Sequence, residues 1–174
     1  DFLARFIALD PEDFDGGEEM LIDAVFLSMR NLNPAGVDLN NREWQLGEFS
    51  TPPLEQFVIN WRPNTDRIVI VFTDEDEQTY LRPPVGVPEL VAAVRGAPNT
   101  VVHTFALPFY GWDEIARDCG GEAFDLTSNA VQMYNDLMSI LDEVCLPREE
   151  EEQGAMFFRS QYIYASYHIE LTCY

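Results

Sequence analysis

Apolar positions along the chain switch between two spacings. In RIVIVFT, residues 67–73, Ile68, Val69, Ile70, Val71 and Phe72 follow one another without interruption. TVVHTFAL, 100–107, is a second run, and EAFDLT, 122–127, a shorter one. Runs like these predict strands buried on both faces of a parallel sheet. Elsewhere the spacing is helical. Phe2, Leu3, Phe6, Ile7 and Leu9 fall near one side of a helix fragment. Leu21, Ile22, Val25, Phe26 and Met29 place a helix from Glu18 to about Leu32. PELVAAVRG predicts a helix with Pro88 in its first turn and Gly96 at its end. WDEIARDCGG predicts a short helix closed by glycine. Asn129 to Cys145 carries Val131, Met133, Tyr134, Leu137, Ile140, Leu141 and Val144, a long amphipathic helix. LEQFVIN, 54–60, suits a short helix. DPEDFDGG is a turn, and NPAGVDLNNREWQLGEFSTPP mostly loop, polar and broken by Pro34, Gly36, Pro52 and Pro53.

From Arg67 to Cys145 the order is strand, helix, strand, helix, strand, helix. That order predicts an α/β fold, a mostly parallel Rossmann-like sheet flanked by helices. In such sheets ligands bind at the carboxyl ends of the strands. The first strand ends at Thr73 and is followed at once by Asp74, Glu75, Asp76 and Glu77. Carboxylates this close repel one another. Either water solvates them as a loop, or they converge on a hard cation.

Charge narrows the partners. The chain has 31 acids against 10 bases, a formal −21, and every base is Arg. A nucleic-acid partner needs a basic patch and is not expected. Anionic membrane surfaces are not expected on the same ground. Solubility in high salt, a cation-rich exterior or a basic partner all fit the acidity. With 174 residues and 47% hydrophobic composition, the chain suits one ordinary folded domain. No stretch approaches the ~20 apolar residues of a membrane span. The opening DFLARFIALD has neither a basic start nor a cleavage site, so no signal peptide is predicted. It also lacks an initiating Met, which predicts a piece of a longer polypeptide. Cys119, Cys145 and Cys173 are too widely spaced for a zinc knuckle. They are either buried thiols or include a Cys119–Cys145 disulfide, which would imply an oxidising compartment.

Several stretches together carry a resemblance. RPNTDRIVIVFTDEDEQ resembles the central strand and following loop of a von Willebrand factor type A (vWA) domain. NTVVHTFAL, then ARDCGGEAFDLTS, then NAVQMYNDLMSILDEVC resemble the later strands and the last helix of that fold. Upstream, GGEEMLIDAVFLSM is similar to the loop and helix before the central strand, especially in integrin β-subunit-like and bacterial members. The similarity spans residues 1 to 147 and implies a partial vWA-like domain, incomplete at its N-terminus. Residues 148–154 follow as an acidic linker and 155–174 as a β-rich tail or the start of a following domain.

The resemblance also implies a metal-ion-dependent adhesion site for Mg²⁺ or Ca²⁺. Carried over, its third part is Asp74 and its second is Glu19, with Glu18 as the fallback. Its first part, Asp-x-Ser-x-Ser, occurs nowhere in this chain. Two carboxylates alone would hold such a cation weakly. The missing half is therefore expected from another segment of the precursor or from a partner chain; alternatively, the site has decayed here. Asp74 can equally be a turn or helix-capping residue. Glu19 can equally be an acid placed to stabilise the helix dipole. Glu75, Asp76 and Glu77 are expected as a solvated rim, Asp10, Glu12, Asp13 and Asp15 as an acidic loop, and His103 as a hydrogen-bonded strand residue.

The tail AMFFRSQYIYASYHIELTCY is rich in aromatic and β-branched residues and predicts a strand or hairpin. Read as one strand, it alternates Tyr162, Tyr164, Ser166, His168 and Glu170 against Ile163, Ala165, Tyr167, Ile169 and Leu171. An exposed strand of this kind can pair with a neighbouring subunit by β-augmentation. No nucleophile–base pair stands out, so an enzyme is not expected; Ser128 and His168 sit in no catalytic motif. Two functions follow. One is an extracellular, cell-surface or periplasmic metal-ion-dependent adhesion or protein-interaction module. The other is a structural subunit of an extracellular assembly, with a degenerate metal site and a strand-pairing tail.

Overall fold

The computed structural model describes residues 20–44, 54, 58–108, 110–145, 157–163 and 166–172. Along the chain the elements are α1 (Leu21–Ser28), β1 (Glu43–Trp44), β2 (Arg67–Thr73), β3 (Leu81–Arg82), α2 (Val87–Gly96), β4 (Thr100–Ala106), α3 (Trp112–Asp118), β5 (Gly120–Asp125), α4 (Ala130–Cys145), β6 (Phe157–Ile163) and β7 (Ser166–Thr172). The fold is α/β. Strands β2, β4 and β5 form a parallel sheet in that order. Its register runs from Arg67 opposite Thr100 to Thr73 opposite Ala106, with Asp125 opposite Ala106 on the far side. The three strands therefore end level with one another.

Alternation along β2 explains the uninterrupted apolar run. Val69 and Val71 enter a core shared with Leu21, Ile22, Val25 and Phe26 of α1, Leu90, Val91 and Val94 of α2, and Trp112 and Ile115 of α3. Ile68 and Ile70 enter a second core with Phe105 of β4 and Leu137, Ile140 and Leu141 of α4. A strand with helices on both faces has no polar side to show. Phe105, fully buried, stacks between Phe72 at 4.6 Å and Phe124 at 4.8 Å.

The helices end for local reasons. α1 stops at Ser28, earlier than the apolar spacing predicts. Met29 and Arg30 donate to Phe26 and Leu27 in tighter turns, and the Trp61 indole takes the Ser28 carbonyl at 2.9 Å. Met29 is nonetheless fully buried, so the periodicity reported burial beyond the helix. α2 ends at Gly96, as expected, where Asn33 Nδ2 donates to the Ala93 carbonyl. α3 is followed by Gly120, whose φ of 77° places it in the left-handed region that favours glycine. Asn129 caps α4 by accepting the N–H groups of Val131 and Gln132.

The described part of the region after Asn33 is mostly loop, as expected, with one two-residue strand, β1, that pairs antiparallel with β3. Of the short helix expected at 54–60, Val58 to Asn60 are non-helical and 55–57 lie outside the described residues. The helix fragment at 2–9 lies outside them too. The tail takes the second of its two expected forms, a hairpin and not one alternating strand. Tyr162 is opposite Tyr167 and Ile163 opposite Ser166, so β6 and β7 form an antiparallel hairpin. The backbone of β7 comes within 8 Å of β2.

Candidate functional site

The acidic segment after β2 is built into the fold at both of its ends. Thr73, buried at the end of β2, accepts the Glu75 N–H on its hydroxyl at 3.0 Å. This turns the chain sharply out of the sheet. The Trp112 indole donates to the Glu75 carbonyl at 3.0 Å, and the Glu77 carboxylate accepts the Gly111 N–H at 2.9 Å. Thr104 of β4 holds the same corner by donating to the Trp112 carbonyl. Gln78 donates to Asp76 at 2.5 Å. Glu77 is thus a half-buried anchor through its carboxylate and not the solvated rim residue expected of it; Glu75 is half-buried and held through its backbone, and Asp74 and Asp76 are exposed, Asp76 as expected.

The far end is held by a residue the sequence did not single out for this role. Asp23 is fully buried on α1, between Ile22 and Val25. One carboxylate oxygen accepts from the Thr79 hydroxyl at 2.6 Å, and the other from the N–H groups of Tyr80 at 2.6 Å and Leu81 at 3.3 Å. Burial pushes its pKa up to about 6. The hydrogen bonds from Thr79 and Leu81 and the charges of Arg42 and Arg82 pull the other way. A signal existed: an acid inside the apolar stripe LIDAVF needs partners that the helix itself cannot supply.

Arg42 locks the neighbouring layer. Its guanidinium donates to the Asp38 and Pro83 carbonyls, pairs with Glu89 of α2 and lies over the Phe26 ring, 5.2 Å from its centre. At the opposite end of the sheet Arg67 is buried among the carbonyls of Arg62, Thr65 and Pro98.

Of the expected metal ligands, Asp74 stands exposed at the carboxyl end of β2, while Glu19 and its fallback Glu18 lie outside the described residues. Of the other acids, Glu77 is committed to the Gly111 N–H, Asp76 accepts from Gln78, and Asp23 is committed to residues 79–81. Among the described residues no group of three or more His, Cys, Asp or Glu could hold a metal ion. The donor set described here therefore does not fit a bound Mg²⁺ or Ca²⁺.

His103 is buried in β4 and accepts the Glu122 N–H on Nδ1 at 3.1 Å, the hydrogen-bonded strand residue expected of it. Cys119 is a free, buried thiol, so the Cys119–Cys145 disulfide is not formed. Burial pushes its pKa up to about 11. Among the described residues no helix is long and apolar enough to cross a membrane. Comparison with family models, with curated proteins and with solved structures returned no match.

Proposed function

We propose that the chain is a non-enzymatic protein-interaction module that presents the carboxyl end of its sheet to a protein partner. One observation carries this reading. Asp74, Asp76 and Leu107 are exposed where β2 and β4 end, on a segment held by Trp112 at Glu75, by Gly111 at Glu77 and by Asp23 at residues 79–81. An exposed loop set at strand ends is how parallel sheets present binding residues. The vWA resemblance supports the same surface and an extracellular setting. It adds a divalent cation at Asp74, whose remaining ligands, Glu19 among them, would come from outside the described residues. Titration of the full chain with CaCl₂ or MgCl₂, read by native mass spectrometry and amide chemical shifts, tests that addition. Tight one-to-one binding lost in Asp74→Asn supports it. Weak, diffuse binding unchanged in Asp74→Asn removes the cation and leaves the protein surface alone.

A second reading rests on the tail. β2 is buried along most of its length although β4 is its one neighbour in the three-stranded sheet, and β7 lies close to it. Strand pairing by residues 157–172, within one chain or between subunits, suits a structural role. Sedimentation of the full chain and of Ile169→Pro discriminates. An assembly that the proline dissolves favours the structural role. A monomer in both cases disfavours pairing between subunits.

A further inference from the structure

The Asp23 site can be satisfied in two protonation states. Ionised, the carboxylate accepts from the Thr79 hydroxyl and from two backbone N–H groups. Thr79 Oγ1 also accepts the Val85 N–H at 3.2 Å, so this one hydroxyl ties Asp23 to both ends of segment 79–85. A hydroxyl has one proton and two lone pairs. With one lone pair on Val85, the second is available to accept a proton from neutral Asp23. Thr79 is half-buried, so its own proton can turn toward solvent. The change of state needs a hydroxyl rotation and no movement of the chain.

Surroundings decide which state the closed site prefers. Asp23 is fully buried among apolar residues of α1. The charges that act on it are Arg42, from the loop before β1, and Arg82, on β3. Arg42 is already paired with Glu89 of α2. The hydrogen bonds from Thr79 and Leu81 and two guanidiniums, one of them neutralised, favour the ionised form but do not offset full burial of the carboxylate. Release of the segment would return Asp23 to water, where its charge costs nothing.

We propose that Asp23 is a proton-operated latch: neutral, it holds segment 79–85 against α1, and ionised, it lets that segment go more easily. The segment continues directly into Gln78, Asp76 and Asp74, so the latch sets how firmly the exposed acids are presented. The pKa, about 6 when held against 3.8 when free, agrees with this direction. By linkage, the ratio of released to held chain rises about a hundredfold from below pH 4 to above pH 6. The latch does not depend on what binds to Asp74.

Hydrogen exchange of the Tyr80 and Leu81 amides in the full chain tests it, with rates corrected for intrinsic exchange between pH 4 and 7.5. Protection should fall about a hundredfold, levelling off above pH 6. Asp23→Asn, which resembles the neutral acid in shape and donors, should keep the low-pH protection at every pH. A wild-type profile that is flat, or that persists in Asp23→Asn, overturns the latch. If that variant does not fold, carboxyl ¹³C titration of the wild type decides. A midpoint near 6 is expected, and one near 4 overturns the proposal.

Discussion

Glu77 reaches from the acidic loop to the start of α3, where its carboxylate accepts the backbone N–H of Gly111 at 2.9 Å. A β-carbon on Gly111 would sit 2.6 Å from the same carboxylate. The two residues act as one joint: the glycine leaves room for the acid, and the acid satisfies an N–H that opens a helix. Glu77→Ala should cost about 1 kcal/mol, and Glu77→Gln, which keeps an acceptor, less than half of that. Gly111→Ala should cost a similar amount by pushing the carboxylate away. The double variant should then cost no more than either single one. Urea unfolding of the four proteins checks this, and additive losses would show that the joint does not exist.

The fold was legible where residues interact with near neighbours and with bulk apolar surroundings. RIVIVFT needs only burial on both faces to become a strand, and β2 spans those seven residues. Pro88 and Gly96 bracket α2 by their own backbone preferences. The site was legible only in position. That acids follow β2 is written in the chain. That Glu77 serves Gly111, and that Asp23 binds Thr79 across 56 positions, depends on how α1, α3 and the loop come together. The short β1–β3 pairing was hidden for the same reason, since two residues carry no period. In the tail, composition indicated strands, but placing the reversal between Ile163 and Ser166 required the register.

The raised pKa of Asp23 makes a statement about stability. Its folded value, about 6, lies above the free value of 3.8, so the folded state binds this proton more tightly than the unfolded state does. The stabilisation is fully present below pH 3.8 and is lost as pH rises toward 6. On this account unfolding becomes easier by about 3 kcal/mol across that window. Other acids titrate in the same range, so the quantity to measure is the difference between wild type and Asp23→Asn at pH 4 and at pH 7. The variant should gain relative to the wild type at pH 7. Equal pH dependence in both would assign the effect to other groups.

Gly121 lies where the β4–β5 register shifts between Val102 and Thr104. A β-carbon there would stand 2.1 Å from the Val102 carbonyl oxygen and 3.1 Å from the His103 nitrogen, both backbone atoms. Neither can swing aside as a side chain can, so the strands must separate. The neighbouring Glu122 N–H to His103 bond would be strained with them. Gly121→Ala should cost about 2–3 kcal/mol. Gly120→Ala, where an added β-carbon meets nothing nearer than 3.7 Å, should cost about 1 kcal/mol from its positive φ alone. Thermal unfolding of both variants gives the order, and the reverse order would contradict the close approach at Gly121.

Phe105 decides whether the α4 face of the sheet is one packed layer. Its ring is fully buried and lies nearly parallel to both neighbours, at 13° to Phe72 and 17° to Phe124, so a single side chain links all three strands. Ile68, Ile70, Leu137, Ile140 and Leu141 close the same cluster. Phe105→Ala would leave a cavity between strands whose backbones are fixed by their ladder, so little collapse can offset it. A loss of about 3–5 kcal/mol is expected. Phe105→Leu keeps most of the volume but removes both stacks, and should lose about 1–2 kcal/mol. Phe124 is half-buried on the edge strand, with solvent to fill part of the gap, so Phe124→Leu should lose less than Phe105→Leu. Urea unfolding of the three variants gives that ranking. If Phe124→Leu proves the most damaging, α4 is held through the β5 edge and not through the centre of the sheet.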